Sequence, residues 1–255
     1  MKLTQKSKRL VLSLTLLLGA VLPATSSSYA SGGAVSSIST STLSKYNLTL
    51  LEATKLIGSG TTSTGTTPGG SSLTSGDSTF ATSATKCLPI PTPNYMLTSP
   101  VREVDGLSFT NTLPSKLVVQ LSSSAYPSSG NGEAEAAKLP SVSTCLGGPI
   151  KALFTTPSEG ITLTLSHFTG SVVRNPNLPK GAYALAYTGN LAAGTVTSSF
   201  EIIIVAAGHG DAVALYTIAM TKLGKSTPTS DFAKLENALF ILVKNKVNKV
   251  GLLAS

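Results

Sequence analysis

From Thr195 to Thr221 the chain carries two nearly unbroken apolar runs, EIIIVAA and AVALYTIAM, joined by Gly208-His209-Gly210-Asp211. A strand with one wet face alternates apolar and polar residues, so runs that are apolar throughout need both faces covered. The short Gly-flanked link reads as a hairpin turn. The pattern predicts antiparallel strands over Thr195–Ala207 and Ala212–Thr221 at the centre of a sheet.

The rest of the chain supplies outer strands and helices. Over Lys116–Ser122, Leu117, Val119 and Leu121 alternate with Lys116, Val118 and Gln120, the period of a strand. Gly160–Phe168 sets Ile161, Leu163 and Leu165 on one side and Thr162, Thr164 and Ser166 on the other, and Ala182–Thr188 is a further strand. Helical spacing of Leu43, Tyr46, Leu50, Leu51, Thr54 and Ile57 predicts a first helix over Thr42–Ile57, stopped by Gly58. A short helix is expected at Gly132–Leu139. A long one follows Thr227-Pro228, from Thr229 to Val250, with Phe232, Leu235, Leu239, Leu242, Val243 and Val250 on one side and Lys234, Lys244 and Asn248 on the other. The expected class is α+β: a mainly antiparallel sheet packed by helices, closed by the C-terminal amphipathic helix and held by one disulfide.

The N-terminus bounds where such a domain works. Lys2, Lys6, Lys8 and Arg9 precede an apolar run from Leu10 to Leu22, and a small-residue stretch ends at Ala30. These are the parts of a secretory signal peptide, residues 1–30. Cleavage after Ala30 would release a chain that does not span the membrane; an uncleaved leader would anchor it. Residues 31–41 read as a Ser/Gly tether. Residues 42–255 read as a single α+β domain with a low-complexity Ser/Thr/Gly loop at 58–86. Removing the leader lowers the net charge from +8 to about +4, and no Arg-rich stripe accompanies it, so nucleic-acid binding is not expected.

The two cysteines, Cys87 and Cys145, are expected to pair in an oxidising compartment. Two free thiols or a half-built metal site are the alternatives, though two distant histidines give no zinc spacing.

The order of these pieces resembles the extracytoplasmic sensor-like domains of actinobacteria, typified by the extracellular domain of PknH-type kinases and their secreted relatives. The segments that carry the resemblance are LLEATKLIG at Leu50–Gly58, Cys87-Leu88, KLVVQLSSS with GEAEAAKL, Cys145-Leu146, and FEIIIVAAGHGDAVALYTIAM with DFAKLENAL. The sequence departs from that pattern in having fewer cysteines than the kinases, no lipid-anchoring cysteine, and Pro179-Lys180-Gly181 where relatives often have an acidic turn. The general architecture also resembles the PsbP-like fold. The resemblance implies a ligand-sensing domain.

Chemistry is sparse. No Gly-x-Ser-x-Gly elbow, phosphate-binding loop, dinucleotide fingerprint or His-Glu-x-x-His helix occurs, so no enzymatic activity, cofactor or metal is expected. His167 is read as half-buried near a strand end, and His209 as an exposed turn residue. Lys234, Lys244, Lys246 and Lys249 are either a solvated face or a contact for anionic lipid head groups or wall polymers. The sequon Asn47-Leu48-Thr49 falls inside the expected first helix, which disfavours a glycan. The sharpest pattern is Ala182, Ala184 and Ala186 alternating with Tyr183, Leu185 and Tyr187. Left uncovered, the second set with His167 would floor a cleft walled by Pro91–Leu97 and Asn175–Lys180, suited to a small apolar or glycan-like envelope molecule. An apolar cleft floor favours such a binding or sensing role. A convex surface with an apolar patch and an exposed strand edge favours the alternative, a structural or adhesion module meeting other proteins.

Overall fold

The computed structural model describes residues 38–64, 104–128, 131–155, 163–224 and 230–254. The leader, most of the tether and of the 58–86 loop, Cys87 and the Pro91–Leu97 segment lie outside them.

Two helices open the fold, α1 (Thr40–Ser44) and α2 (Leu50–Ile57), where the sequence spacing predicts one. The break is chemical. Thr49 caps α2 by accepting from the Glu52 amide, while the Glu52 carboxylate accepts from the Thr49 N–H at 2.9 Å, a reciprocal capping box. Ahead of it, Leu48 N donates to Ser123 Oγ at 2.9 Å and Asn47 Nδ2 donates to Val104 O at 2.8 Å. Those bonds tie the linker to the sheet, and Asn47 is thereby buried in a turn rather than placed in a helix.

The sheet comprises β1 (Thr62–Thr64), β2 (Val104–Asp105), β3 (Ser108–Leu113), β4 (Leu117–Pro127), β5 (Thr164–Val173), β6 (Ala182–Ala193), β7 (Val196–His209) and β8 (Ala212–Leu223). Its order is β1-β3-β4-β8-β7-β6-β5, with β2 paired to the far end of β4, and every pairing is antiparallel. The hairpin pair β7 and β8 sits at the centre as expected, with Ile203 and Leu215 buried on opposite faces.

Each face has its own apolar layer. On one side Leu43, Tyr46, Ala53, Ile57, Ile203, Val205, Tyr216 and Ile218 pack with Phe232, Leu239, Phe240, Val243 and Val250 of the C-terminal helix α5 (Ser230–Ala254). Lys246 of α5 is also buried there, ion-paired at 2.8 Å to Glu52, so it does not belong to an exposed lysine set with Lys234, Lys244 and Lys249. On the other side α3 (Gly132–Ala136), a 3-10 turn at Leu139–Val142 and α4 (Ser143–Thr155) cover Leu185, Tyr187, Leu191, Ile202 and Ile204. α3 meets the β7–β8 hairpin through backbone: Gly132 N donates to Gly210 O at 2.7 Å, and a methyl group on Gly208 would strike the Gly132 carbonyl.

Candidate functional site

α4 decides the fate of the expected cleft. Its sequence, STCLGGPIKALFT, holds Gly147, Gly148 and Pro149, residues that weaken or interrupt helices, and nothing in the pattern marks it as one. Yet Leu146, Ile150 and Phe154 point to the sheet and are buried against it. Beneath them Leu185 and Tyr187 are fully buried, and Tyr187 Oη donates to Ser143 O at 2.7 Å. Burial raises the Tyr187 phenol above its ordinary range. Phe168 stacks on the Tyr187 ring at 6.0 Å, and a Cβ at Gly170 would collide with that ring. Leu185 and Tyr187 are core residues, a correction to the expectation of an uncovered face.

The other expected parts of the cleft are dispersed. The Asn175–Lys180 loop turns to the opposite side of the sheet, where Leu178 joins the α5 layer and Asn177 Nδ2 bonds Asn237 Oδ1 of α5. His167 is exposed rather than half-buried. Between Ser166 and Thr169 the β5–β6 register shifts, and His167 takes φ 52°, a bulge that rotates its ring away from the apolar layer. Its Nδ1 lies 3.4 Å from Asn190 Nδ2. His209 is partly buried instead of free in its turn, set where a Cβ on Gly251 of α5 would meet its ring. Of the predicted floor residues on β6, Tyr183 alone remains accessible, at 36 % exposure.

What Tyr183 borders is a strand edge. β5 ends the strand order, and no described strand lies beyond it. It is ten residues long, TLSHFTGSVV, with neither Lys, Arg, Asp, Glu nor Pro. Most of its side chains are exposed, including Val172 at 41 %. Val172 pairs with Leu185 and so shares the α4-side face with Tyr183, giving a small apolar patch along the edge. Past the bulge the pairing from Thr169 to Val173 is regular, and the Thr169 and Thr188 hydroxyls lie 2.9 Å apart across it.

A second feature lies under α5. Glu201 of β7 is pushed up to about 7, first by burial and then by the nearby Glu236 of α5, whose own carboxyl is raised by burial. Neither glutamate stands in a recognisable motif, and only the three-dimensional approach of helix to sheet brings them together.

Cys145 stands exposed in the first turn of α4 and is no free thiol. Its pairing with Cys87 remains a proposal. Alkylation of the unreduced mature protein is expected to add no label, and Cys145→Ser to destabilise the fold by about 4 kcal/mol, as opening a long covalent loop does. Labelling of both thiols without reduction would refute the pairing.

No family model and no curated protein matches the chain. Among solved structures, the crystal structure of the extracellular domain of PknH from Mycobacterium tuberculosis aligns with a TM-score of 0.39 and 13 % identity, over 83 % of this chain and 97 % of that chain, a distant similarity.

Proposed function

We propose that this chain is a non-catalytic extracytoplasmic recognition domain that works through the outer edge of β5, adding an extended segment of a partner protein to its own sheet. The observation that carries this reading is the edge strand itself. Exposed edges are normally blunted with charge, proline or bulges, because their unpaired N–H and C=O groups template further pairing. Here the bulge touches only the first half, and Thr169–Val173 stays regular and uncharged. Strand addition of this kind draws affinity from main-chain hydrogen bonds and selectivity from side chains beside them. Val172 and Tyr183 stand in position to supply the latter. The extracytoplasmic setting rests on the basic and apolar leader. The small-molecule reading based on Tyr183, Leu185 and Tyr187 loses its floor, because Leu185 and Tyr187 serve the core.

In-cell photo-cross-linking tests the proposal. A photoreactive residue at Thr169 is expected to capture a protein partner, and Val172→Lys is expected to reduce that capture at least fivefold. A photoreactive residue at Ile241, exposed on α5, serves as the control and should capture nothing comparable. Capture at Thr169 that is absent, or indifferent to Val172→Lys, would refute the reading. Because Val172 is exposed, the lysine should change stability by no more than about 0.5 kcal/mol.

A further inference from the structure

The free edge of β5 has two sides, and they differ. On the α4 side stand Gly170 and Val172, paired with Tyr187 and Leu185 of β6. The Tyr187 ring occupies the space a side chain at Gly170 would take, so the edge there is bare backbone, followed by Val172 at 41 % and Tyr183 at 36 % exposure. On the α5 side stand Thr169, Ser171 and Val173, paired with Thr188, Ala186 and Ala184. Thr169 and Ser171 are exposed, so that side presents hydroxyls. An added strand sends alternate side chains to the two faces. Those on the α4 side meet apolar surface, and those on the α5 side meet hydroxyls.

Charge marks one end of the edge. β5 itself carries no Asp, Glu, Lys or Arg, but the residue that follows it, Arg174, is exposed. No described acidic side chain pairs with Arg174: Asp231 bonds Lys222 and Glu52 bonds Lys246. A cation free to be paired therefore stands where β5 ends, beside an otherwise neutral strand. An antiparallel strand added here begins at Arg174 and runs toward Thr169; a parallel one would reach Arg174 last.

We infer, on the premise that β5 is the recognition edge, that the partner segment is a two-faced strand bound antiparallel, with an acidic residue opposite Arg174 followed by alternating hydroxyl and apolar residues. Each element of that description has its cause in the edge. Every pairing already in the sheet is antiparallel, and parallel pairing is slightly weaker per residue. An ionised side chain opposite Gly170 or Val172 would lose water against apolar surface with nothing to pair it. Apolar residues there extend the Val172 and Tyr183 patch, while Ser or Thr opposite Thr169 and Ser171 can exchange hydrogen bonds with them across the strand pair. An opposite charge beside Arg174 adds attraction and sets both direction and register, because a slip of one residue would exchange the two faces.

Amide-shift titration of the isotope-labelled mature protein tests the inference, with the blocked peptide acetyl-Glu-Thr-Val-Thr-Val-Thr-amide as the probe. Its addition is expected to move the amides of Thr169–Val173. Exchanging the peptide Glu for Gln should weaken binding about two- to fivefold, as loss of an exposed ion pair does. Arg174→Gln in the protein should weaken it equally, and the two changes together should act no more strongly than either alone. The reversed peptide, acetyl-Thr-Val-Thr-Val-Thr-Glu-amide, should bind at least threefold more weakly than the first. Equal binding of the reversed or Gln-containing peptide, or shifts confined to other strands, would overturn the inference. Should Arg174→Gln fail to fold, the Gln-containing peptide makes the same comparison on the wild-type protein. A probe that leaves β5 unmoved while Thr169 still captures a partner in cells would overturn this inference alone and leave the edge reading standing; failure of both would remove the two together.

Discussion

Replacing Tyr187 by alanine is expected to destabilise the domain by about 3–5 kcal/mol, the range for removing a large aromatic side chain from a packed core. The ring lies between Phe168 and the α4 layer and fills the space above Gly170. Tyr187→Phe keeps the ring but leaves the Ser143 carbonyl without its 2.7 Å donor, and should be unfavourable by about 1–2 kcal/mol. Tyr183→Ala, by contrast, removes a side chain already open to solvent and should change stability by less than about 1 kcal/mol. Urea unfolding of the three variants separates the roles. Equal, small effects at both tyrosines would mean that α4 does not cover this face and that the cleft is open after all.

The second large effect concerns pH. Glu201 holds its proton to about pH 7 in the folded chain, whereas in the unfolded chain it releases it near pH 4.5. Between those values the folded state binds more protons than the unfolded state, so stability falls as pH rises through that window and stays lowered above it. The contribution is about 1–3 kcal/mol, the upper figure reduced because the pair is partly exposed and screened by water. Glu201→Gln removes the titration and keeps the shape. The variant is expected to match the wild type near pH 4.5, to exceed it at pH 8, and to show a flatter profile between. Unfolding midpoints measured across that range give the answer. A variant less stable than wild type at pH 8 would show that the ionised carboxylate is favourably held and that the argument from burial beside Glu236 fails.

The central sheet was legible because its signal is local. Ile202–Ala207 and Ala212–Tyr216 are apolar on both faces, and a doubly covered antiparallel hairpin accommodates them. The amphipathic C-terminal helix was equally plain, though the burial of Lys246 depends on Glu52, some two hundred positions earlier, and no periodicity reports such a pairing. α4 was not legible. Two glycines and a proline mask its helical stripe, and what stabilises it is the contact of Leu146, Ile150 and Phe154 with the sheet, a tertiary effect that overrides propensity. The candidate site followed from that gap: the Ala/Tyr alternation separates the two faces of β6, but that the Leu185 and Tyr187 face is covered depends on a helix the pattern did not show. The β5 bulge had the same consequence for His167, since a single register shift sends a side chain to the other side. The edge position of β5 is a property of strand order, which alternation alone does not encode.

The claim that β5 is a working edge is tested most directly by residue-resolved amide exchange on the isolated mature protein. An edge strand bonds its neighbour through alternate residues and leaves the intervening amides facing outward. Alternate amides across Thr169–Val173 are therefore expected to exchange orders of magnitude faster than those of β6, and to slow when the cross-linked partner is bound. Uniform protection of every β5 amide at the level of β6, in the protein alone, would mean that the edge is already covered, and would contradict the account.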